Sequence, residues 1–178
     1  MTTIACGRSR TTTLLLLLSV TTSLASAQER ADPERKLAEL GITLPTGATP
    51  LANYVPWTQS GNQVWLAGHV SATVGKLGAN VSPEEGYAAA KDACVRLLGT
   101  LKAAAGGDLR RVQRILKVNG FVNGTPEFVG QSQVINGCSD LLVAVFGDAG
   151  RHARAAVGVA SLPTGRAVEI DLVAELVP

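Results

Sequence analysis

The stretch from residue 153 to residue 176, ARAAVGVASLPTGRAVEIDLVAEL, constrains the fold more than any other part of the sequence. It contains two segments of alternating apolar residues, separated by the turn-forming run Leu162-Pro163-Thr164-Gly165. Such alternation is typical of strands that bury one face, and a turn sequence between two of them indicates a β-hairpin. We therefore predict a hairpin across residues 153–176, in which Arg154 opens the first strand and Glu169 lies on the polar face of the second.

The residue pattern alone leaves the roles of Arg154 and Glu169 open. An arginine at a strand start is commonly a solvated chain end, and a glutamate on an outward strand face is commonly solvated as well. A guanidinium and a carboxylate beside an otherwise apolar hairpin also suit a ligand site. Both interpretations remain open at this stage.

Three runs in this stretch resemble the C-terminal signature of the reactive-intermediate deaminase (Rid) family, also called YjgF-like or L-PSP endoribonuclease-like. They are Ala153-Arg154, then Val157-x-Val159-Ala160-x-Leu162-Pro163, then Val168-Glu169-Ile170, in the family's order and spacing. Upstream, Asn53-Tyr54-Val55 and Val64-x-Leu66-Ala67-Gly68-His69-Val70 are similar to the family's opening hairpin. The resemblance spans residues 50–178.

The resemblance implies an α+β domain with a chorismate-mutase-like fold that forms a trimer with its sheets packed inward. It also implies hydrolysis of small enamines and imines, such as 2-aminoacrylate, to a keto acid and ammonia. Arg154 matches the arginine that holds the substrate carboxylate, a task that suits a planar guanidinium with two charge-assisted hydrogen bonds. Glu169 matches the residue that positions water or moves a proton. Tyr54 and the Gly68 backbone match positions that line the pocket.

The sequence also departs from the family pattern. Ala156 stands where many of the deaminases have a cysteine, and His69 stands where a glutamine is common. Three functions therefore remain open. They are an imine deaminase, a ligand-binding protein of the same fold without turnover, and an endoribonuclease or translation inhibitor, a label that the family also carries.

Helix-start motifs help to divide the family domain into the order β-β-α-β-α-β-β. Ser82-Pro83-Glu84-Glu85 has the hydroxyl cap, the proline and the glutamate of a capping box and predicts a long helix. Thr125-Pro126-Glu127 predicts a second helix by the same device, and the recurrence suggests a pseudo-repeat. Each helix has one apolar stripe, so both are expected to cover the same face of a single sheet. The stripes comprise Tyr87, Cys94, Leu98, Leu101 and Ala105 in the first helix, and Phe128, Ile135, Cys138, Leu142 and Val145 in the second.

The first three strands are predicted over residues 53–58, 63–71 and 111–123. Strict alternation in the second strand places Gly68 on one face with Val64 and Leu66, and His69 on the other face with Trp65. A lone histidine in this position is more often structural than catalytic.

The third strand carries apolar residues on both faces, although two helices cover only one face of a sheet. A partner must therefore cover the second face, and we expect a homo-oligomer, for which the resemblance implies a trimer. The apolar residues are Ile115 and Phe121 on one face, and Leu116, Val118 and Val122 on the other.

Residues 1–27 are predicted to be a secretory signal peptide. Basic residues precede an apolar run, and Ala25-Ser26-Ala27 supplies a small-residue cleavage site, so we expect cleavage after Ala27 and a secreted or periplasmic chain. The alternative is a membrane anchor, but the apolar run is shorter than the roughly 20 residues that a bilayer span needs. Residues 28–50 then form an extension with a short helix that begins at Asp32-Pro33, ends at Gly41 and docks through Leu37 and Leu40. Residues 51–178 form the family domain.

Charge and side-chain clusters disfavour several classes of function. Signal removal takes away two of the 16 basic residues and none of the 14 acidic ones, so the mature chain has no net charge. That disfavours nucleic-acid binding, for which the local evidence is a single cluster of Arg110, Arg111 and Arg114. The sequence contains no metal-ligand cluster and no phosphate-binding glycine loop. We therefore expect no metal, no cofactor and no membrane association after signal removal, and the family resemblance implies a small carboxylate-bearing ligand.

Cys94 and Cys138 lie on the apolar stripes of two helices in a compartment that is expected to be oxidising. Packed helix axes are about 8–10 Å apart, whereas a disulfide needs Cα atoms within about 7 Å. We therefore predict two buried free thiols, with a disulfide as the alternative.

Overall fold

The computed structural model describes residues 1–2, 32–46 and 52–178, so the predicted cleavage site after Ala27 lies outside the described residues. These residues form one mixed sheet in the order β1-β2-β5-β3-β4, with three α-helices. All neighbouring strands are antiparallel except β3 and β4, which are parallel. The elements are α1 (Pro33–Glu39), β1 (Trp57–Ser60), β2 (Gln63–Val70), α2 (Pro83–Ala104), β3 (Val112–Asn123), α3 (Gln131–Phe146), β4 (Ala153–Val159) and β5 (Val168–Leu176).

The predicted class and element order are confirmed, and α2 and α3 pack on the same face of the sheet. The core between the helices and the sheet is aliphatic and alanine-rich. No helix in the described part of the chain combines the length and the apolar character needed to cross a membrane.

The short helix of the extension forms as predicted. The Asp32 side chain accepts hydrogen bonds from the first-turn amides, and Gly41 follows the helix with a φ of 67°. Leu37 is buried, but Leu40 is 47% exposed, so only one of the two predicted docking residues is in the core. After α1 the chain crosses α2 closely enough that a Cβ at Gly99 would overlap the carbonyl oxygen of Pro45.

The start of α2 is the predicted capping box, since Ser82 Oγ accepts from the Glu85 amide and the Glu85 carboxylate accepts from the Ser82 amide. Four members of its predicted stripe are buried, but Tyr87 is exposed, and its hydroxyl donates to Asp140 at 3.0 Å.

The predicted start of α3 at Thr125 is wrong, because the helix begins at Gln131. Phe128 stands three residues after Thr125, where a capping box has a glutamate, and residues 126–127 form only a turn in which the Phe128 amide donates to the Thr125 carbonyl. Phe128 therefore lies outside the helix and packs against the core only partly. One genuine capping box remains, so the suggested pseudo-repeat is not supported.

The predicted hairpin across residues 153–176 is also wrong. Both of its strands form, but β3 lies between them, parallel to β4 and antiparallel to β5. The turn-forming run is a short 3₁₀ segment, Pro163–Gly165, that carries the chain past the end of β3. Local alternation identified the strands but not their neighbours.

Strand β2 contains a β-bulge that reverses the predicted faces of two residues. The pairing with β5 runs from Leu66 opposite Leu172 to His69 opposite Ile170, so one extra residue stands on β2. His69 is therefore buried toward the helices, and Gly68 lies on the face that no helix covers. Strand β1 is also shorter than predicted, because it begins at Trp57, after Pro56.

A comparable irregularity occurs in β3, where the pairing with β5 shifts between Ile115 and Lys117. As a result Ile115, Val118 and Val122 all lie in the core, contrary to the predicted division of the apolar residues between two faces. Phe121 lies opposite Glu169, on the helix-free face.

Cys94 and Cys138 form a disulfide between α2 and α3, with their Cα atoms 5.2 Å apart, so the predicted free thiols are wrong. The helices approach unusually closely here. A Cβ at Gly137 would overlap the carbonyl oxygen of Tyr87 and lie 3.0 Å from its carbonyl carbon. A glycine that faces the backbone of the other helix removes the side-chain layer that normally separates two axes, and this brings the cysteines within disulfide range.

Candidate functional site

Arg154 lies on the edge strand β4, and its side chain reaches toward α3. Its Nη1 donates to Asn136 Oδ1 at 2.8 Å and to Ser139 Oγ at 3.0 Å. The residue is half-buried, and no carboxylate lies within ion-pair distance of it in the described residues. The guanidinium is thus held in place by neutral partners, and its charge is not compensated within the described part of the chain.

His152 extends this cluster. Its Nε2 lies 3.1 Å from Ser139 Oγ, and its Nδ1 lies 2.7 Å from the carbonyl oxygen of Gly150. A carbonyl only accepts, so Nδ1 carries the proton, and in the neutral ring Nε2 accepts from the Ser139 hydroxyl. Partial burial lowers the pKa of His152 below 6.5, and the nearby Arg154 lowers the pKa further, against the hydrogen bond to Gly150, which raises it.

Glu169 lies on the helix-free face of β5, since its neighbours Val168 and Ile170 both point into the core. Its carboxylate occupies the space beside Gly68, where a Cβ would overlap Oε1 and lie 3.0 Å from Cδ. Burial raises the pKa of Glu169 above its usual value, and the neighbouring Asp171 raises it further. The absence of a side chain at Gly68 therefore admits a carboxyl group that is easier to protonate than an exposed one.

Asp171 lies two residues further along the same face and accepts a hydrogen bond from Asn119 Nδ2 at 2.8 Å. Burial raises its pKa, and the hydrogen bond and Lys117 both lower it. Beside this pair is a shallow cavity of about 440 Å³. Its lining includes Trp65, Lys117, Asn119, Asp171 and Val173.

Tyr54 lies in a bend before β1, and 51% of its surface is exposed. Its hydroxyl makes no hydrogen bond within the described residues. Tyr54 is thus exposed enough to contact a neighbouring subunit, and its own chain does not bury it.

The predicted site residues therefore fall into two groups on opposite faces of the sheet. Arg154 belongs to the helix side, beside Asn136 and Ser139, whereas Gly68 and Glu169 belong to the helix-free side. A single chain does not bring the guanidinium and the Glu169 carboxylate together.

Sequence reasoning missed Asn136, Ser139 and His152. A signal was present, because Asn136 and Ser139 are three residues apart and share one face of a helix. His152 and Arg154 are two residues apart and share one side of an extended segment. What the sequence did not reveal is that these two pairs face each other.

The arrangement does not suggest a metal centre or a track for nucleic acid. No group of three or more His, Cys, Asp or Glu side chains suited to a metal ion occurs in the described ranges. Within the basic cluster, Arg110 donates from two nitrogens to Asp108, and Arg114 stands opposite Glu175 in the sheet.

The fold and these residues define a class: an α+β chain with two long helices on one face of a mixed sheet, a helix-free face carrying half-buried carboxyl groups, and one arginine with neutral partners at the sheet edge. Residues 34–176 match the family model described as "YjgF/chorismate_mutase-like, putative endoribonuclease". The chain belongs to this family, as the sequence motifs predicted.

Individual relatives agree with this assignment. The chain is 47% identical over 147 residues to Protein TCP17 of Trypanosoma cruzi, which covers 79% of this chain and 91% of that protein. The crystal structure of Atu1372 from Agrobacterium tumefaciens, a protein of unknown function, is 46% identical, with a TM-score of 0.77 over 82% of this chain and 92% of that one. A Shewanella oneidensis structure described as a "putative endoribonuclease" is 33% identical, with a TM-score of 0.78 over 81% of this chain and 99% of that one.

Proposed function

We propose that this protein hydrolyses small enamines or imines that carry a carboxylate, and releases a keto acid and ammonia. The observation that carries the proposal is the state of Arg154. Its guanidinium is half-buried and fixed at Nη1, while Nε and Nη2 make no hydrogen bond within the described residues. A partly desolvated cation without its own counter-ion attracts a small carboxylate, which the planar group binds through two parallel hydrogen bonds.

Glu169 supplies the proton transfers that the reaction needs. Water adds to the carbon of the C=N bond, and the nitrogen leaves as ammonia, so a proton must be taken from water and others delivered to nitrogen. Burial raises the pKa of Glu169, which moves its carboxyl group toward the range in which a side chain can both accept and donate protons in catalysis. The balance is one imine and one water consumed for one keto acid and one ammonia formed.

The active unit in this proposal is a homo-oligomer, a trimer as in the family resemblance, with sites between subunits. The helix-free face bears Trp65, 51% exposed, and the exposed Val157, so a partner subunit on this face would bury apolar surface. Because Arg154 and Glu169 lie on opposite faces of one chain, each site would combine the arginine cluster of one subunit with the Gly68 and Glu169 pair of a neighbour.

Export is part of the proposal. The predicted signal peptide and the disulfide between Cys94 and Cys138 are independent features that both suit an oxidising compartment. An exported enzyme meets imines other than those formed on cytosolic cofactors, so the natural substrate is defined here only by its chemistry, a small imine with a carboxylate.

The alternative is a protein that binds small carboxylates without turnover, because the same Arg154 cluster would serve. Endoribonuclease activity, the label attached to the family model and to the Shewanella relative, has less support. Within the described basic cluster, Arg110 is paired with Asp108 and Arg111 donates to the Ala105 carbonyl, and the chain without its predicted signal peptide has no net charge.

Arg154→Lys tests the anchor. A lysine keeps the charge but cannot form the two parallel bonds, so we expect ammonia release from a freshly generated carboxylate-bearing imine to fall roughly ten- to a hundred-fold. Arg151→Lys is the matched control, since Arg151 is exposed and paired with Asp148. Unchanged turnover and carboxylate affinity with a lowered melting temperature would refute the anchor and leave Arg154 a structural role. Carboxylate binding by the wild-type protein without ammonia release would establish the non-catalytic alternative.

Mixed oligomers test the division of the site between subunits. Arg154→Lys and Glu169→Gln chains, each strongly impaired alone, should recover activity when they are co-expressed or refolded together. In a randomly mixed trimer, roughly a quarter of the sites would combine an intact Arg154 with an intact Glu169. No recovery in oligomers that demonstrably contain both chains would place the two residues in separate sites or in one subunit.

A further inference from the structure

The Ser139 and His152 pair has the geometry of a nucleophile and its base. The Ser139 hydroxyl lies 3.1 Å from His152 Nε2, and His152 Nδ1 is fixed by the Gly150 carbonyl at 2.7 Å. A hydroxyl within hydrogen-bond reach of an imidazole that a third group orients is the arrangement that activates serine in covalent catalysis. The lowered pKa of His152 leaves its ring neutral at neutral pH, so Nε2 is free to take a proton.

The chain contains an internal comparison. His69 has the same bonding pattern, with Nδ1 3.0 Å from the Ala67 carbonyl and Nε2 2.7 Å from Thr100 Oγ1. However, Thr100 is completely buried and His69 nearly so, and no charged donor contacts this hydroxyl among the described residues. The pair at His69 ties β2 to α2 and has no route to a substrate.

The pair at His152 differs in each of these respects. Ser139 and His152 are only half-buried, and the Ser139 oxygen accepts a hydrogen bond from Arg154 Nη1 at 3.0 Å, which stabilises negative charge on that oxygen. The Asn136 amide nitrogen makes no hydrogen bond within the described residues, and Asn136 lies one turn of α3 before Ser139, on the same face of the helix. An amide donor on that face suits the oxyanion of a tetrahedral intermediate.

We propose that Ser139, with His152 as its general base, is a nucleophile toward small esters whose acyl group carries a carboxylate. As Ser139 Oγ attacks the ester carbon, its proton passes to His152 Nε2. The intermediate collapses when His152 returns the proton to the departing alcohol, which leaves an acyl group on Ser139. Water then repeats the sequence and releases the acid. One ester and one water thus give one acid and one alcohol, with no other reactant.

The acyl group of the substrate must carry a carboxylate because Arg154 Nε and Nη2 have no acidic partner within the described residues and are available to bind one. Both activities use Arg154 as the carboxylate anchor, but the ester step needs Ser139 and His152 and the imine step needs Glu169, so Ser139→Ala and Glu169→Gln distinguish them.

The test combines covalent labelling with ester hydrolysis. Wild-type protein is treated with a fluorophosphonate and the label is mapped by peptide mass spectrometry, and hydrolysis of mono-4-nitrophenyl succinate is compared with that of 4-nitrophenyl acetate. We expect one label per chain at Ser139, a preference for the succinate ester, and a loss of about 10²–10⁴-fold in Ser139→Ala and His152→Gln. Ser132→Ala is the control, since Ser132 is an exposed serine two turns earlier on α3. Label at other residues only, or equal hydrolysis by wild type and Ser139→Ala, would overturn the proposal. If Ser139→Ala does not fold, the mapped position of the label in the wild-type chain decides the question alone.

Discussion

Removing the disulfide between α2 and α3 should strongly destabilise the fold. Cys94 and Cys138 are both fully buried and are separated by 44 residues in sequence. In the chain-entropy description, cross-linking a loop of this length lowers the entropy of the unfolded chain and stabilises the native state by about 4 kcal/mol at 25 °C. A marginally stable domain has only about 5–15 kcal/mol in total, so the loss is a large fraction of it.

The measurement is urea denaturation of the mature chain, followed by circular dichroism, for wild type and for Cys94→Ala/Cys138→Ala. The third cysteine, Cys6, lies in the predicted signal peptide, so the protein is produced from Gln28 onward, without it. Protein concentrations must match, because an oligomer gains apparent stability from association. We expect a lower urea midpoint in the double variant than in the wild type. Reductant should lower the wild-type midpoint to the same value only if it is added to unfolded protein, because the sulfurs are inaccessible in the native state.

Thiol titration provides the independent check. Wild-type chain recovered from an oxidising compartment and denatured without reductant should show no free thiol. Two titratable thiols would contradict the disulfide and support the buried free thiols that the usual distance between packed helices predicted. A double variant as stable as the wild type would instead refute the entropic reasoning.

Two further predictions concern the carboxyl group on the helix-free face. Gly68→Ala should displace the Glu169 carboxylate, because the new Cβ would overlap Oε1, the far end of a flexible side chain. Turnover should therefore fall with little change in melting temperature, and unchanged turnover would argue against Glu169 as the proton-transfer group. Glu169→Gln should raise the melting temperature at pH 7. The pKa of Glu169 is raised in the folded chain, so between about pH 4.5 and the folded pKa the folded chain binds more protons than the unfolded one, and its stability falls as the pH rises through this window. Glutamine has no carboxyl group to ionise and avoids this loss. The difference should vanish below that window, and a lower melting temperature at pH 7 would show that the ionised carboxylate has a favourable partner.

Local sequence patterns predicted those features that depend on contiguous residues. The Asp32 cap and the Ser82 capping box both formed, because each needs only a side chain and the amides two or three residues further on. The motif at Thr125 lacks the glutamate three residues further on, and the amide of Thr125 bonds to Leu77, almost fifty residues earlier in the chain. The order of the strands in the sheet depends on such distant pairing as well, and this is why the predicted hairpin was wrong although both strands were found.

The candidate site was predictable only in part, because some of its features depend on contiguous residues and others on contacts between distant ones. The family motifs identified Arg154, Glu169 and Gly68 as individual residues, but alternation in sequence does not assign faces where a strand contains a bulge. The neutral partners of Arg154 come from α3, and nothing in the sequence of β4 indicates which helix side chains reach it.

A single extra residue in β2 accounts for much of the arrangement on both faces of the sheet. Side chains alternate along a strand, so one added residue exchanges the faces of all residues beyond it. Without the bulge after Leu66, Gly68 would point toward the helices, and the side chain of His69 would stand beside Glu169 instead of bonding to Thr100. The bulge places Gly68 next to the Glu169 carboxyl group, which fits there because glycine has no side chain. It also places His69 under α2, where its hydrogen bond to Thr100 connects the sheet to the helix. The proposed proton-transfer site and part of the core therefore depend on the same irregularity.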